Sequence, residues 1–514
     1  PLCFALRRQV VLDSRFAPAP DWGGFLAALQ QAGLHHRVCA AARVTLPLSA
    51  SGHAHPWRTP PGVVDPYFNP AFRREPADYT FVAPLPKPVG RVAFAHHLDS
   101  PLPEVIADGC LELRGWCTGA EAAPVAIIAE VAGIQWTVTA ASPRPDVAKA
   151  LRLDRDACGF SINLRIPAGR HTLVLRAQDT DAHSHELLRR TIVVPRSAAW
   201  RRAFRTSPER LLACQLAATP QHAPRPLHSA SGARRKATPS GGPRCSVVTP
   251  SFQQAPFLRE TITGVLQQDV PGDYVIQDGG STDGSADIIA AIAREPRGPG
   301  AMRIAAWECA PDFGQTDALQ RGFAKTNGAP DDVMAWINAD DFYLPGAFAV
   351  VADYLARHPE VDVVYGHRLL VDETSREIGR WHLPPHDPAV LERYDFVPQE
   401  TLFWRRRLWE RVGGVNPDFQ FAMDWDLLLR FQAAGATIVR LPCFLACFRL
   451  HQSQKTSAQL GSVGQEELDT LRFRTFGRKL SAAELIADPN LYAYLKRSAR
   501  LDLLAAAGWR GRTG

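Results

Sequence analysis

The sequence predicts an α/β fold with a largely parallel sheet in its C-terminal half, preceded by a mainly β, sandwich-like module. Three observations carry this. After position 244, short apolar runs alternate with amphipathic helical patterns. Between 89 and 194 the chain instead shows short alternating runs separated by turn residues. Between these regions, Ala218 to Pro243 is rich in Pro, Ser, Gly and Ala with almost no large apolar residues, a composition that buries no core.

Residues 1–88 hold one helical pattern, Gly23 to Ala32, then a Pro-rich stretch without periodicity, and are left unassigned. The β module spans 89–197, with runs such as Leu111 to Trp116, Ile134 to Ala140, Phe160 to Ile166 and His171 to Arg176. Trp116 and Trp136 could stack on sugar rings, but an aromatic on a sandwich strand is more often core, the reading preferred here. Residues 198–217 read as one connecting helix with Trp200, Phe204, Leu211, Leu212 and Leu216, followed by a flexible linker at 218–243. The α/β domain covers 244–460 and a helical tail 461–514. Its first strand, Cys245 to Thr249, leads to a helix with Phe257, Ile262, Val265 and Leu266 on one face. A second strand, Tyr274 to Gln277, precedes the helix Ser285 to Arg294, and strands Ile304 to Trp307 and Val333 to Ile337 follow. In such folds ligands sit beyond the C-terminal ends of the strands.

A chain of 514 residues exceeds one hydrophobic core, and about two to four units are expected. With 46% hydrophobic and 21% charged residues it is globular, not disordered. The net charge of +6 is spread along the chain, with isolated clusters at Arg234-Arg235-Lys236 and Arg405-Arg406-Arg407. No nucleic-acid partner is expected from it. The excess suits a nucleotide diphosphate or peripheral contact with a membrane, although a solvated basic surface is the plainer reading. No apolar run is long enough to span a bilayer; Val125 to Val138 is broken by Glu130 and Gln135. The ten cysteines show no CxxC pair and read as reduced thiols, which places the chain in the cytoplasm or at the inner face of the membrane. No signal peptide is read, and the sequence opens on Pro1 as a fragment would.

Sugar transfer from a nucleotide needs a grip on the nucleotide, stabilisation of the leaving diphosphate and a base for the attacking hydroxyl. For the first, Thr249-Pro250-Ser251-Phe252 ends one strand and Asp278-Gly279-Gly280-Ser281-Thr282-Asp283-Gly284-Ser285 ends the next. Glycines allow close backbone approach and a carboxylate accepts hydrogen bonds from a base or ribose; the same loop is also ordinary turn chemistry, and Ser285 is read as a helix cap. For the second, Asn338-Ala339-Asp340-Asp341 follows a buried strand, where adjacent carboxylates can hold Mg²⁺ or Mn²⁺. For the third, Asp424 in Met423-Asp424-Trp425-Asp426 can take a proton, or can equally serve the first turn of a helix.

The ordered set of these segments, with Asp312-Phe313-Gly314, Asp317-Ala318, Gln399, Phe403-Trp404-Arg405-Arg406 and Phe448-Arg449-Leu450-His451, resembles family 2 glycosyltransferases of the GT-A fold. The β module is similar to sandwich modules joined to bacterial glycosyltransferases, through Arg114-Gly115-Trp116, Arg144-Pro145-Asp146-Val147 and Gly159-Phe160. The resemblance implies an inverting transfer from a nucleotide-diphosphate sugar, with UDP the guess, to a glycan or lipid-linked acceptor in bacterial surface polysaccharide or glycoconjugate synthesis. It implies nucleotide contacts from Thr249, Pro250, Ser251, Phe252, Asp278, Gly280, Asp317 and Asp340. Metal contacts would come from Asp340, Asp341 and His451, although Asn338 replaces the first acid of the common Asp-x-Asp form and Asp340 and Asp341 can be aligned either way. Asp424 would be the general base. The Gln-x-x-Arg-Trp pattern of processive synthases is absent, so addition of one or a few sugars is expected.

Two other readings remain. A sugar-phosphate nucleotidyltransferase shares the layout, but its Gly-rich basic loop is replaced by Pro250-Ser251-Phe252-Gln253. A non-catalytic carbohydrate-binding protein would have no need of Asp278, Asp340, Asp341 and Asp424 together.

Overall fold

The computed structural model describes residues 94–119, 125–151, 153, 156–178, 184–227, 242–295, 302–451, 454 and 464–507. The region 1–88, with the helix expected at Gly23 to Ala32, lies outside them. The chain divides into two compact units, Pro1–Ala95 with Ala148–Leu153, and His96–Val147 with Asp154–Gly514. The first lies almost wholly outside the described residues, and the second holds the elements discussed below.

The β module comprises β1 (Ala95–Leu98), β2 (Cys110–Thr118), β3 (Val125–Val131), β4 (Ile134–Ala140), β5 (Ser142–Pro143), β6 (Ala157–Arg165), β7 (Gly169–Gln178) and β8 (Ser184–Val194). They form two four-stranded sheets, β1-β2-β6-β5 and β4-β3-β7-β8, with β4 packed over β6. Leu113, Trp136, Phe160, Ile162, Leu173 and Leu175 fill the space between, and Trp116 is buried on the other face of β2, so neither tryptophan is free for a ligand. The segment read as one connecting helix is two, α1 (Ala198–Phe204) and α2 (Pro208–Cys214). Pro208 forces Ser207 into extended backbone and ends any continuous helix.

The stretch read as a linker at 218–243 is tethered over its first part. Gln221 and His222 donate their backbone N–H groups to Ile378 O, and Arg225 exchanges two backbone hydrogen bonds with Glu377. Unpaired groups of a sheet edge attract such a strand-like partner. Residues 228–241 lie outside the described part.

The α/β domain runs β9 (Cys245–Ser251), α3 (Ala255–Leu266), β10 (Gly272–Asp278), α4 (Ser285–Ala293), β11 (Met302–Cys309), α5 (Gln315–Ala324), β12 (Val333–Trp336), β13 (Phe342–Tyr343), α6 (Ala347–Arg357), β14 (Val363–Val371), β15 (Glu377–Trp381), α7 (Pro388–Leu391), β16 (Phe403–Arg405), α8 (Arg406–Val412), α9 (Met423–Ala433) and β17 (Ile438–Arg449). Three helices follow: α10 (Gln465–Phe476), α11 (Ala482–Ala487) and α12 (Pro489–Ala506). The sheet order is β11-β10-β9-β12-β16-β14-β17-β13, with β15 on β14. Alternate residues of β9 serve opposite faces: Val247 joins the core of Leu258 and Ile262 from α3, and Val248 that of Leu319 and Phe323 from α5. A strand covered on both faces reads as a continuous apolar run, which is why the sequence revealed it.

The expectation of a largely parallel sheet holds for β11, β10, β9 and β12. Beyond them the sheet is mixed, because β16 runs antiparallel to both β12 and β14. The chain enters β16 from β15 through 382–402, which carries the short α7 and a 3-10 turn at Gln399–Thr401.

The C-terminal helices are part of the body and not an appended tail. Leu491, Tyr494, Leu495 and Ala499 of α12 share a core with Leu391, Phe396, Ala203 and Leu211. Farther along α12, buried Asp502 accepts hydrogen bonds from Arg165 Nη2 of β6 at 2.7 Å and Gln215 Nε2 at 2.8 Å, and pairs with His382 Nδ1 at 2.7 Å.

Candidate functional site

Three parallel strands end side by side at Ser251, Asp278 and Cys309. Asp278 is fully buried and accepts from Ser251 Oγ, Ser281 N and Ser281 Oγ, each at 2.8 Å, and from Gly280 N and Cys309 Sγ, each at 3.1 Å. A carboxylate with this many donors holds the strand ends and the following loop in one shape. Gly280 turns that loop with φ +86°, and a Cβ there would stand 3.3 Å from Pro311 N, so glycine is required on both counts. Outside this ring, Ser281 Oγ accepts the Gln253 N–H at 2.7 Å and Asp283 accepts the Ala255 N–H at 2.8 Å, lacing the loop to the start of α3. Ser285 is not the cap of α4: Gly284 holds that position in left-handed backbone, and Asp283 takes the Ser285 N–H and Oγ–H.

Of the other residues expected to meet the nucleotide, Thr249 and Pro250 are buried, and Thr249 Oγ1 accepts the Tyr274 hydroxyl at 2.8 Å. The alternation along β9 turns Thr249 into the core, leaving no side-chain surface for a ligand. Phe252 is 60% exposed just past the end of β9, and Phe313, four residues past the end of β11, is 89% exposed. Phe313 appeared in the sequence motif without a role; an exposed phenyl beside a polar loop is the signal that marks it. Asp317 fixes the Phe313 backbone by accepting its N–H at 3.0 Å and pairs with Arg321 at 2.7 Å. Asp312 accepts the Gly314 N–H, and burial raises its carboxyl pKa.

The two adjacent aspartates after β12 have opposite environments. Asp341 is buried, and its Oδ1 accepts the Arg449 N–H at 2.9 Å. Burial, then the charges of Asp340 and Glu400, raise its pKa well above the ordinary carboxylate value. Asp340 keeps 14% of its side chain exposed and pairs through Oδ2 with His451 Nε2 at 2.9 Å. The ring of His451 packs 4.8 Å from that of Phe257. Buried Arg449 holds this corner together: Nε donates to Asp340 O at 2.8 Å and Nη2 pairs with Glu260 at 2.6 Å. The structure thus separates the pair that sequence left open, with Asp340 partly exposed against the buried ring of His451 and Asp341 wholly buried beneath it.

Asp424 lies in the first turn of α9, partly buried. Three ties hold this turn near the strand ends. Thr316 of α5 donates its hydroxyl to Phe419 O at 2.7 Å. Trp425 Nε1 donates to Leu391 O at 2.7 Å. The Glu467 carboxylate of α10 accepts the N–H groups of Gln420, Phe421 and Ala422, all at 2.8 Å, which fixes the segment entering α9 and sets a negative charge at that helix's N-terminus. Asp426 is fully buried and pairs with Arg430 at 2.7 Å and Arg474 at 2.6 Å, so its role is structural. Asp395 is a neighbour that the sequence did not reveal. Its Oδ1 is buried without a hydrogen-bond partner, and burial, then the charge of Asp424, push its pKa well up. Arg368, doubly bonded to buried Glu400 at 2.6 and 2.7 Å, opposes the rise at both Asp395 and Asp341 and so links the two halves of the site.

Asp340 and His451 provide two metal donors side by side, and among the described residues no group of three or more His, Cys, Asp or Glu side chains stands ready as a cage. That fits a divalent ion such as Mg²⁺, which is held by one or two protein carboxylates and completed by phosphate oxygens and water.

The model of Glycosyl transferase family 2 matches residues 246–418, the part that carries the strand-end loops. The chain is 27% identical over 268 residues to an uncharacterised glycosyltransferase of Mycobacterium tuberculosis, covering 50% of this chain and 95% of that one. It is also 27% identical over 201 residues to a PGL/p-HBAD biosynthesis glycosyltransferase of Mycobacterium bovis, covering 38% of this chain and 73% of that one. An O-antigen biosynthesis protein, RfbC, of Myxococcus xanthus is 29% identical over 198 residues, 38% of this chain and 15% of its own. Among solved structures, S. aureus TarS aligns at 13% identity with a TM-score of 0.33, over 51% of this chain and 53% of that one. No helix among the described residues is long and apolar enough to cross a membrane.

Proposed function

Because residues 246–418 form a family 2 glycosyltransferase domain of the GT-A type, we propose that this chain transfers a sugar, with inversion, from a nucleotide diphosphate to an acceptor hydroxyl. The relatives named for PGL/p-HBAD and O-antigen biosynthesis support an acceptor that is a glycan or is lipid-linked, in the making of a bacterial surface glycoconjugate. The observation that carries the reading is the division of acidic groups: Asp340 with His451 at the end of β12, and Asp424 on α9.

In this scheme the loop shaped by Asp278 receives the nucleotide, with Phe252 and Phe313 as stacking surfaces for its base. Asp340 and His451 would hold Mn²⁺ or Mg²⁺ against the diphosphate, where the ion supplies positive charge to the departing oxygens. Asp424 takes the acceptor O–H proton as that oxygen attacks the anomeric carbon. The new C–O bond forms on the face opposite the leaving group, and the nucleotide diphosphate departs with the electrons of the broken bond.

The test is donor hydrolysis and transfer across a panel of nucleotide sugars, UDP-sugars first, with and without Mn²⁺. Release of nucleotide that depends on the ion, together with loss of turnover by about 10²- to 10⁴-fold in Asp424→Asn at unchanged nucleotide affinity, is the expected result. Full turnover in Asp424→Asn would remove the base from the mechanism, and no turnover with any donor would remove the reading.

A further inference from the structure

We propose that the outward face formed by α1 and α12 is a docking surface for an anionic lipid bilayer. The face lies outside the strand-end site and needs no assumption about the reaction. Trp200 and Phe204, one turn apart on α1, are 43% and 42% exposed with ring centroids 5.5 Å apart, and Leu504 of α12 is 40% exposed. Side chains of this size at the surface are ordinary singly but informative when grouped.

Arginines frame them. The Arg205 guanidinium stands 5.2 Å from the Trp200 ring centroid, and Arg500 of α12 stands 4.9 Å from that of Phe204, bridging the two helices. In this arrangement each guanidinium lies against a ring while its residue stays exposed. Arg196 and Arg201 are exposed nearby, and none of these four arginines is ion-paired among the described residues. Among the described residues, neither α1 nor α12 presents an exposed carboxylate. The α1 sequence contains none, and the single one of α12, Asp502, is turned inward onto Arg165, Gln215 and His382. The opposite side of α1 is anchored by buried Ala198, Arg202 and Ala203, which fixes the face in place.

The chemistry selects the occupant. Trp, Phe and Leu interleaved with unpaired Arg match the boundary of a bilayer, where rings and chains enter the acyl edge and guanidinium groups meet lipid phosphates. A nucleic acid would meet the charges but leave Leu504 without a partner. A specific protein partner needs about 800 Å² on each side, more than three apolar side chains supply.

The test is flotation of the full chain with vesicles of phosphatidylcholine alone and with about 30% phosphatidylglycerol. The chain should float with the anionic vesicles, stay behind with the neutral ones, and detach as salt rises. Each arginine at a charged surface contributes about fivefold, so Arg201→Gln with Arg205→Gln should lower partitioning about 25-fold. Trp200→Ala with Phe204→Ala should lower it too. All four positions are exposed, so these variants are expected to keep the wild-type urea midpoint and donor hydrolysis in solution. Failure to float with anionic vesicles, variants that float like the wild type, or retention on duplex DNA in place of vesicles would each overturn the proposal. An inactive chain that still floats would refute the proposed reaction and leave this inference intact.

Discussion

Glu467 stands 45 residues beyond Ala422, yet its carboxylate accepts the Ala422 N–H at 2.8 Å, two positions before Asp424. Together with the Gln420 and Phe421 amides this fixes the entry to α9 from outside the helix. Glu467→Ala should therefore cost about 1–3 kcal/mol in stability, because three amides lose their acceptor, and lower kcat by about 10²-fold through misplacement of the base. KM for the donor should change little. Glu467→Gln, which keeps an acceptor oxygen, should recover part of kcat; a rise in KM alongside the fall in kcat would instead mark a general loosening of the fold.

Asp340 and Asp341 should separate under substitution. Asp340→Asn removes a charged donor at the exposed corner beside His451 and should weaken Mn²⁺-dependent nucleotide binding by more than about tenfold. Asp341→Asn keeps an oxygen for the Arg449 N–H and replaces a carboxyl whose pKa burial has raised, so nucleotide binding should stay within about threefold. Calorimetric titration of nucleotide with and without Mn²⁺ reads both. The opposite ranking would move the ion to Asp341.

Asp395 gives a pH signature. Burial, followed by the Asp424 charge, raises its pKa above the unfolded value of about 3.9, while Arg368, Arg472 and the Val397 N–H pull the other way. A carboxyl with a raised folded pKa binds more protons folded than unfolded in that window. Stability is accordingly greatest below about pH 4 for this group and falls as pH rises through the folded value, by at most about 1.4 kcal/mol per unit. Asp395→Asn should flatten that slope in urea unfolding measured across the window; an unchanged slope would show that other groups set it.

Asp502→Ala should destabilise the fold by about 3–5 kcal/mol, because it strands Arg165 as an unpaired buried charge. Burying the apolar surface of α12 does not compensate for such a charge. Asp502→Asn should fall between variant and wild type, keeping the oxygen that Gln215 Nε2 bonds but not the charge. Thermal unfolding of the three forms is the check, and equal midpoints would refute the claim.

Much of the site was legible because parallel strands buried on both faces write themselves as apolar runs, and the polar residues after them mark one edge. Asp278 and Asp340 were singled out this way, whereas Asp424, on a helix, drew its role from the family resemblance. What escaped depends on contacts distant in sequence. Thr249 and Ser251 sit two apart and share one face of β9, and only their depth along the strand decides that Thr249 meets Tyr274 in the core while Ser251, at the strand end, reaches Asp278. Adjacent Asp340 and Asp341 differ through Arg449, more than one hundred residues away. Asp395 carries no motif at all, and Glu467 lies in a stretch whose composition suggested only a tail. Antiparallel β16 was missed because three residues give no periodicity to read.

The Arg165 to Asp502 pair joins residues 337 positions apart, which has a consequence for biosynthesis. The β module is made before α12 and its two sheets can close on themselves, but Arg165 and Gln215 receive their carboxylate only from that later helix. Until that helix emerges, the underside of the module and the core around Phe396 remain exposed to chaperones and proteases. A chain truncated before Pro489 would thus keep its strand-end loops in full but leave the β module and the α/β domain without this shared carboxylate, a fault that exposes both to quality control.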